Sequence, residues 1–478
     1  MRSKILGALS IALVAPAVFA APAGAVVANT ANGRVSYLPL NEAVTGRGAA
    51  PIRSTVPSGE PPLEYHGGPV MHSQAAYAIF WAPGGYAFPS GYTSAIEEFL
   101  ENVAADSGKP SNVYSVSAQY TDETGHAAYS DSFGGSVKDT DAYPTSGTCP
   151  TYSGFGESFT ACISDAKLEA EVDSVIDAQG WPRGLGAEYY VVLPPHAGSC
   201  FDVAGKECFD KQFCAYHSYT LSSPEAIYSN ISYSPGDVLG CGVGEYPNGH
   251  SNGNVDDTLS SLSHEANESI TDPTLEAWYD EEGFENGDEC RNTPFEEDYG
   301  APLGGSAGTL FNQSIAGANY YLQQEWSNDT EDCAQRVDPA LPAIADPGQL
   351  VPGQSASFHS SSSPGSGGIS SFSWDFGDGG TASGPNPTHA FQAPGTFTVT
   401  LTIMDDGDFP FSTTRQVSVV ATSSGAGSST SSGSGSSTSI GGSVVRKPLK
   451  CRKGFRKAKR HGKAVCLKVK KKHRAHHR

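Results

Sequence analysis

The residues of this chain best suited to chemistry lie between Ser263 and Cys290, in the stretch SHEANESITDPTLEAWYDEEGFENGDEC. His264, Glu265, Glu268 and Asp272 come first, and a second acidic run follows: Asp280, Glu281, Glu282, Glu285, Asp288 and Glu289. Imidazole and carboxylate groups are ligands for divalent cations, and a carboxylate beside such an ion can take a proton from water. The spacing predicts how they are presented. Asn254 is a helix N-cap with Asp257 three residues on, and Pro273 stops the helix. Val255, Leu259, Leu262 and Ala266 recur at helical spacing and form one apolar stripe. At about 100° per residue, His264 and Glu268 fall on the opposite side, one turn apart. Glu265 lies between the two faces.

A ligand pair at i and i+4, with a glutamate directly after the first ligand, is the layout of a zinc-peptidase helix. The motif here reads HExxE, so Glu268 stands where a second histidine would be. Zinc is the expected cofactor on His264 and Glu268, with Glu265 as the base that activates water and a peptide or protein as substrate. Calcium is the alternative, because carboxylates also suit harder ions. A third ligand is expected from Asp288, whose loop Cys290 can anchor. Glu285, Asp280 and Asp272 are further candidates, and His217 and His250 are outsiders. The competing reading is an exposed polar helix face followed by a solvated acidic loop, in a non-catalytic adhesion or signalling module with structural calcium or no metal.

Several elements must position these groups. Ala75 to Trp81 and Tyr189 to Leu193 read as buried strands, and Phe213 to Tyr219 as another. Asn112 to Tyr120 alternates and reads as a strand. Ser94 to Ala105 and Ile163 to Ala178 carry apolar residues at helical spacing, the second ended by Gly180 and Pro182. Strands alternating with helices predict an α/β zincin-like layered domain over 63–336. Thr309 to Cys333 packs back on it through Tyr320, Tyr321, Leu322 and Trp326.

Arg2 and Lys4, the apolar run Ile5 to Ala20 and the small residues near Ala20 and Ala25 predict a signal peptide over 1–25. Residues 26–62 read as a flexible leader. No later stretch is long and apolar enough to span a bilayer, so an extracellular protein is expected. Ten cysteines in such a chain read as disulfides. Cys149, Cys162, Cys200, Cys208, Cys214, Cys241, Cys290 and Cys333 fall in the first domain, with connectivity open; Cys451 and Cys466 belong to the tail. Charge divides the chain sharply. Sixteen of its 30 basic residues lie between Arg446 and Arg478 without an acid, leaving 14 against 51 acidic residues elsewhere.

Two resemblances follow from the motifs. LEYHGGPVM, AIFWAPGGY and AIEEFLENV, with FCAYHSY and PNGHSNGNVDDTLSSLSHEANESITDP further on, resemble the phosphate-induced protein 1 (EXORDIUM) family of extracellular proteins from about Leu63 to Cys333. That resemblance implies a cell-wall-associated protein. SFSWDFGDGGTASGPNPTHAFQAPGTFTVTLTIMDDGD resembles the polycystic kidney disease (PKD) domain and implies an all-β immunoglobulin-like sandwich over 338–421. Trp374, Phe376, Asp375 and Asp378 are then core and turn residues. Residues 422–443 are a Ser/Gly linker. The tail, 444–478, reads as disordered and basic, able to close a small hairpin and to bind an anionic cell-wall polymer. No fold for specific nucleic-acid recognition accompanies it.

Overall fold

The computed structural model describes residues 27–30, 33–40, 63–127, 129–154, 157–234, 241–242, 244–247, 255–291, 299–365 and 367–421, with the backbone of 455–460 and 463–468. The expected signal peptide, the Ser/Gly stretch, Asn254, His250 and Cys451 lie outside the described residues.

Period-two alternation builds the centre of the first domain. In strand Gln74–Trp81, Ala76, Ala78 and Phe80 face one apolar core while Tyr77, Ile79 and Trp81 face another. Strand Ala187–Leu193 divides likewise, with Tyr190 and Val192 on one side and Tyr189, Val191 and Leu193 on the other. A strand apolar on both faces must be covered on both. Helices Tyr92–Ala105 and Val255–Thr271 supply one cover, through Ile96, Phe99, Leu259 and Leu262, and helix Asp165–Gln179 supplies the other through Leu168, Val172 and Ile176. Each such side chain contributes about 1.5–3 kcal/mol on full burial.

The resulting sheet has seven strands in the order Val27–Asn29, Arg34–Pro39, Phe213–Tyr219, Ile227–Ser232, Ala187–Leu193, Gln74–Trp81 and Asp131–Asp139. The last four strands in that order pair in parallel and the others are antiparallel. The described residues are rich in strand, with few helices.

Three expectations are corrected. Arg34–Pro39, assigned to the flexible leader, is a sheet strand paired with Phe213–Tyr219, and Val35, Ser36, Tyr37 and Leu38 are buried. The alternation of Asn112 to Tyr120 does not make a strand. Asn112 Oδ1 accepts the Tyr114 amide at 3.1 Å, its carbonyl accepts Ser115 Oγ at 2.7 Å, and helix Tyr114–Ser117 begins there. In the tail, Phe455–Arg460 pairs antiparallel with Lys463–Lys468, so those residues form a hairpin rather than a disordered segment.

Among the described residues, four disulfides join Cys149 to Cys162, Cys200 to Cys208, Cys214 to Cys241, and Cys290 to Cys333. All eight cysteines belong to the first domain, as their clustering suggested. The second domain rests on its own core instead. A four-stranded antiparallel sheet, Thr381–Ser383, Ile369–Asp375, Gly395–Asp405 and Pro410–Val419, buries Trp374, Val399, Leu401 and Ile403 around Phe358 and Phe376. Asp375 and Asp378 accept the Gly377 and Gly380 amides at 2.8 and 3.0 Å, which places both in turns. Phe409 leaves this core to join that of the first domain, and the Val337 amide donates to Ser115 Oγ at 3.1 Å.

The uneven placing of cysteines predicts uneven sensitivity to reductant. Losing a native bridge costs about 2–5 kcal/mol in small domains, a large part of the stability of any domain. In calorimetry, reduction should lower the first domain's transition by tens of degrees while the cysteine-free sandwich keeps a separate one. Loss of both transitions together would show that the sandwich depends on the bridges next door.

Candidate metal centre

Helix Val255–Thr271 shows the apolar stripe its sequence predicts: Val255, Leu259, Leu262 and Ala266 all enter the core beneath the sheet. The opposite face is not exposed. His264, Glu265 and Glu268 are each 0% accessible, so the reading of that face as solvated polar surface is overturned. What buries it comes from three directions. Strand Phe213–Tyr219 brings His217, which shares the sheet face of Ala215. The loop running into the short 3₁₀ turn Asp288–Cys290 brings Glu285, Gly287 and Asp288. Strand Glu325–Ser327 brings Glu325.

Two groupings share Glu268. In the first, His264 Nε2 stands 3.0 Å from Glu268 Oε1 and 3.7 Å from Asp288 Oδ1. In the second, His217 Nδ1 lies 3.6 Å from Glu268 Oε2 and His217 Nε2 lies 3.8 Å from Glu285 Oε2. Glu265 Oε2 is the hydrogen-bond partner of His217 Nδ1, at 3.2 Å. Both ring nitrogens of His264, Nε2 of His217, Oε2 of Glu268, Oε1 of Glu265, Oδ1 of Asp288 and both oxygens of Glu325 make no hydrogen bond, although all are buried. Buried polar atoms in such number are costly unless a ligand completes them.

Backbone contacts hold the frame. The Asp288 amide donates to Glu268 Oε1 at 3.1 Å, and the Glu285 amide to Asp288 Oδ2 at 3.3 Å, which leaves Asp288 Oδ1 to face His264. Gln323 Nε2 donates to the Gly287 carbonyl at 2.6 Å, and the Cys290–Cys333 bridge ties this loop to the hairpin that carries Glu325. Glu188, by contrast, is a satisfied buried carboxylate. It accepts from Ser229, Tyr190 and Ser269 at 2.6, 2.9 and 3.0 Å and so joins the sheet to the histidine helix.

The electrostatics are those of an acid-rich interior. Burial drives His264 down to about 4, so its ring is neutral at pH 7 and keeps a lone pair. Burial lifts Glu265 to about 8. Glu268, Glu285, Asp288 and Glu325 are pushed well above the usual carboxylate range, by burial first and then by the charge of a neighbouring carboxylate. A divalent cation would reverse both effects.

Of the residues singled out in the sequence, His264, Glu265, Glu268, Asp288 and Glu285 converge here. Asp272 and Asp280 belong to neither grouping. Asp272 Oδ1 accepts the Glu276 and Ala277 amides at 2.6 Å each, and Asp280 Oδ1 accepts the Glu282 and Phe284 amides at 2.8 and 2.9 Å. Both shape turns, a common use of Asp in loops. His217 is central rather than an outsider. Glu325 escaped notice: it follows two glutamines and precedes Trp326, and no local pattern marks it.

Gly287 is the cradle of the site. A Cβ there would sit 2.5 Å from His264 Nδ1 and 2.9 Å from Glu268 Oε1. Gly287→Ala should therefore displace both side chains, cost about 1–3 kcal/mol in stability and abolish stoichiometric metal binding. Metal analysis and melting of the variant measure the two effects separately.

Comparison with known proteins identifies the second domain. A family model for the PKD domain matches residues 336–420, and that segment is a PKD domain. It is similar to the PKD1 domain of Vibrio anguillarum Epp, with 28% identity and a TM-score of 0.17 over 18% of this chain and 100% of that one. It is also similar to the PKD1 domain of the Vibrio cholerae metalloprotease PrtV, with 30% identity and a TM-score of 0.15 over 17% of this chain and 95% of that one. PKD domains and disulfides are typical of extracellular proteins. Among the described residues, no helix is long and apolar enough to cross a membrane.

Proposed function

We propose that this is an exported, wall-associated modular protein whose first domain is a zincin-like, EXORDIUM-like metal-dependent hydrolase acting on peptide bonds. The observation that carries the reading is the meeting of His264 Nε2, Glu268 Oε1 and Asp288 Oδ1 in a fully buried group, in which His264 Nε2 and Asp288 Oδ1 make no hydrogen bond. These three would hold the ion, and neutral imidazole favours zinc over calcium. A bound ion would supply Lewis acidity toward a carbonyl and its attacking water. Glu265 is the base: Oε1 is free of hydrogen bonds, while Oε2 is the partner of His217 Nδ1, which fixes the direction of the carboxylate.

Complete burial favours a second reading, a structural ion, because catalytic sites keep an open position. Metal analysis of the purified protein combined with cleavage of a mixed peptide library decides between them. Zinc with turnover supports the hydrolase, calcium or zinc without turnover supports the structural site, and no metal defeats both.

The tail hairpin supplies the attachment to an anionic polymer. Its strands, FRKAKR and KAVCLK, are strongly basic, and the acidic body that precedes them would be repelled by the same polymer. Cutting the chain after Ala421 should abolish retention on anionic wall material, and raising ionic strength should release the intact protein likewise. Equal retention of the shortened chain would remove the tail's role.

A further inference from the structure

The first grouping leaves an observation unexplained. His217 is 0% accessible, and its Nδ1 is hydrogen-bonded to Glu265 Oε2 at 3.2 Å. With a cation bound beside it Glu265 is a carboxylate, and Nδ1 then carries the proton. The tautomer is then set, and Nε2 bears a lone pair. That nitrogen makes no hydrogen bond, and it faces Glu285 Oε2 at 3.8 Å. A lone pair directed at a carboxylate oxygen in a dry interior is repulsive unless a cation lies between them. A ring nitrogen freed by its neighbour's bond to a carboxylate is also the usual condition of a metal-binding histidine.

Glu268 completes the second position. His217, Glu268 and Glu285 each place a ligand atom within 4.8 Å of the other two, as His264, Glu268 and Asp288 do. The two groups have only Glu268 in common. Its Oε1 is turned to His264, and its unsatisfied Oε2 lies 3.6 Å from the His217 ring at Nδ1. One carboxylate with an oxygen toward each of two ligand sets is the arrangement of a bridging ligand between ions roughly 3.5–4 Å apart.

We infer that the centre is dinuclear: one divalent ion on His264 and Asp288, a second on His217 and Glu285, bridged by Glu268. This rests on the first-ion reading above and deepens it. Two ions also answer the charge of the site, where buried carboxylates from the helix, the loop and strand Glu325–Ser327 outnumber the nearby Arg291 guanidinium. In a hydrolase, such a pair would clamp a substrate oxygen and a water between them.

The test is titration of the metal-stripped full-length protein with zinc and, separately, with cobalt(II). The wild type should bind two ions per chain, and the cobalt form should show exchange coupling by EPR as the second equivalent enters. His217→Gln and Glu285→Gln should each bind one ion, with the second site weakened at least about 100-fold and the coupling gone. Glu268→Gln is the distinguishing variant. An amide cannot bridge two cations, so both ions should weaken, whereas the other two substitutions cost only one. Circular dichroism confirms that each variant is folded; the cobalt spectrum of the wild type stands without any variant. One ion per wild-type chain overturns the dinuclear centre and leaves the mononuclear reading intact. No ion overturns both. Two ions that survive unchanged in His217→Gln place the second ion elsewhere and overturn the inference.

Discussion

Glu265→Gln is expected to lower peptide hydrolysis by about 10² to 10⁴-fold, the range for losing a general base, while leaving the bound metal and the melting temperature close to those of the wild type. The reason is geometric. Glutamine offers both an acceptor oxygen and a donor amide to His217 Nδ1, now the hydrogen-bond partner of Glu265 Oε2 at 3.2 Å, so His217 retains its orientation. What disappears is the capacity of the other oxygen, free of hydrogen bonds in the structure, to hold a proton taken from water. His264→Ala should behave differently. It removes a ring whose Nε2 faces both Glu268 and Asp288, so ion and activity are lost together. Comparing bound metal, melting and turnover for the two variants separates base from ligand. A Glu265→Gln protein with undiminished turnover would remove Glu265 from the chemistry.

How far the chain could be read in advance depended on whether a property was local. The histidine helix is written in its own residues: the stripe Val255, Leu259, Leu262 and Ala266 meets the core as its period requires, so His264 and Glu268 had to lie opposite. Asp288 was legible as a partner because Cys290 fixes its loop nearby. Whether that opposite face met water was not local. It depends on strand Phe213–Tyr219 and on the hairpin of Glu325, both brought in by long-range pairing. Hence His217 looked peripheral and Glu325 went unnoticed. Arg34–Pro39 was hidden in the same way. Its composition suits an exposed arm, but its partner strand lies far along the chain, and only pairing with Phe213–Tyr219 shows that Ser36 and Tyr37 are interior. The PKD domain was the opposite case, since turns and alternation there sit within a single short segment.

Removing the metal is expected to destabilise the first domain in a manner that grows with pH. Without a cation, burial holds Glu265 near 8 and keeps Glu268, Glu285 and Asp288 far above their ordinary range, so these groups carry protons in the folded, stripped protein. In the unfolded chain they ionise near pH 4. A carboxyl raised on folding contributes its full share of stability below the unfolded value and loses it as pH rises toward the folded value. The stripped protein should therefore be most stable near pH 4–5 and decline through pH 8. The loaded protein should run the other way, because acid protonates the ligands and releases the ion. Melting curves with and without chelator, taken from pH 5 to pH 8, would then diverge steadily as pH increases. Parallel curves would mean that no cation is bound among these carboxylates, and the metal centre would fall with them.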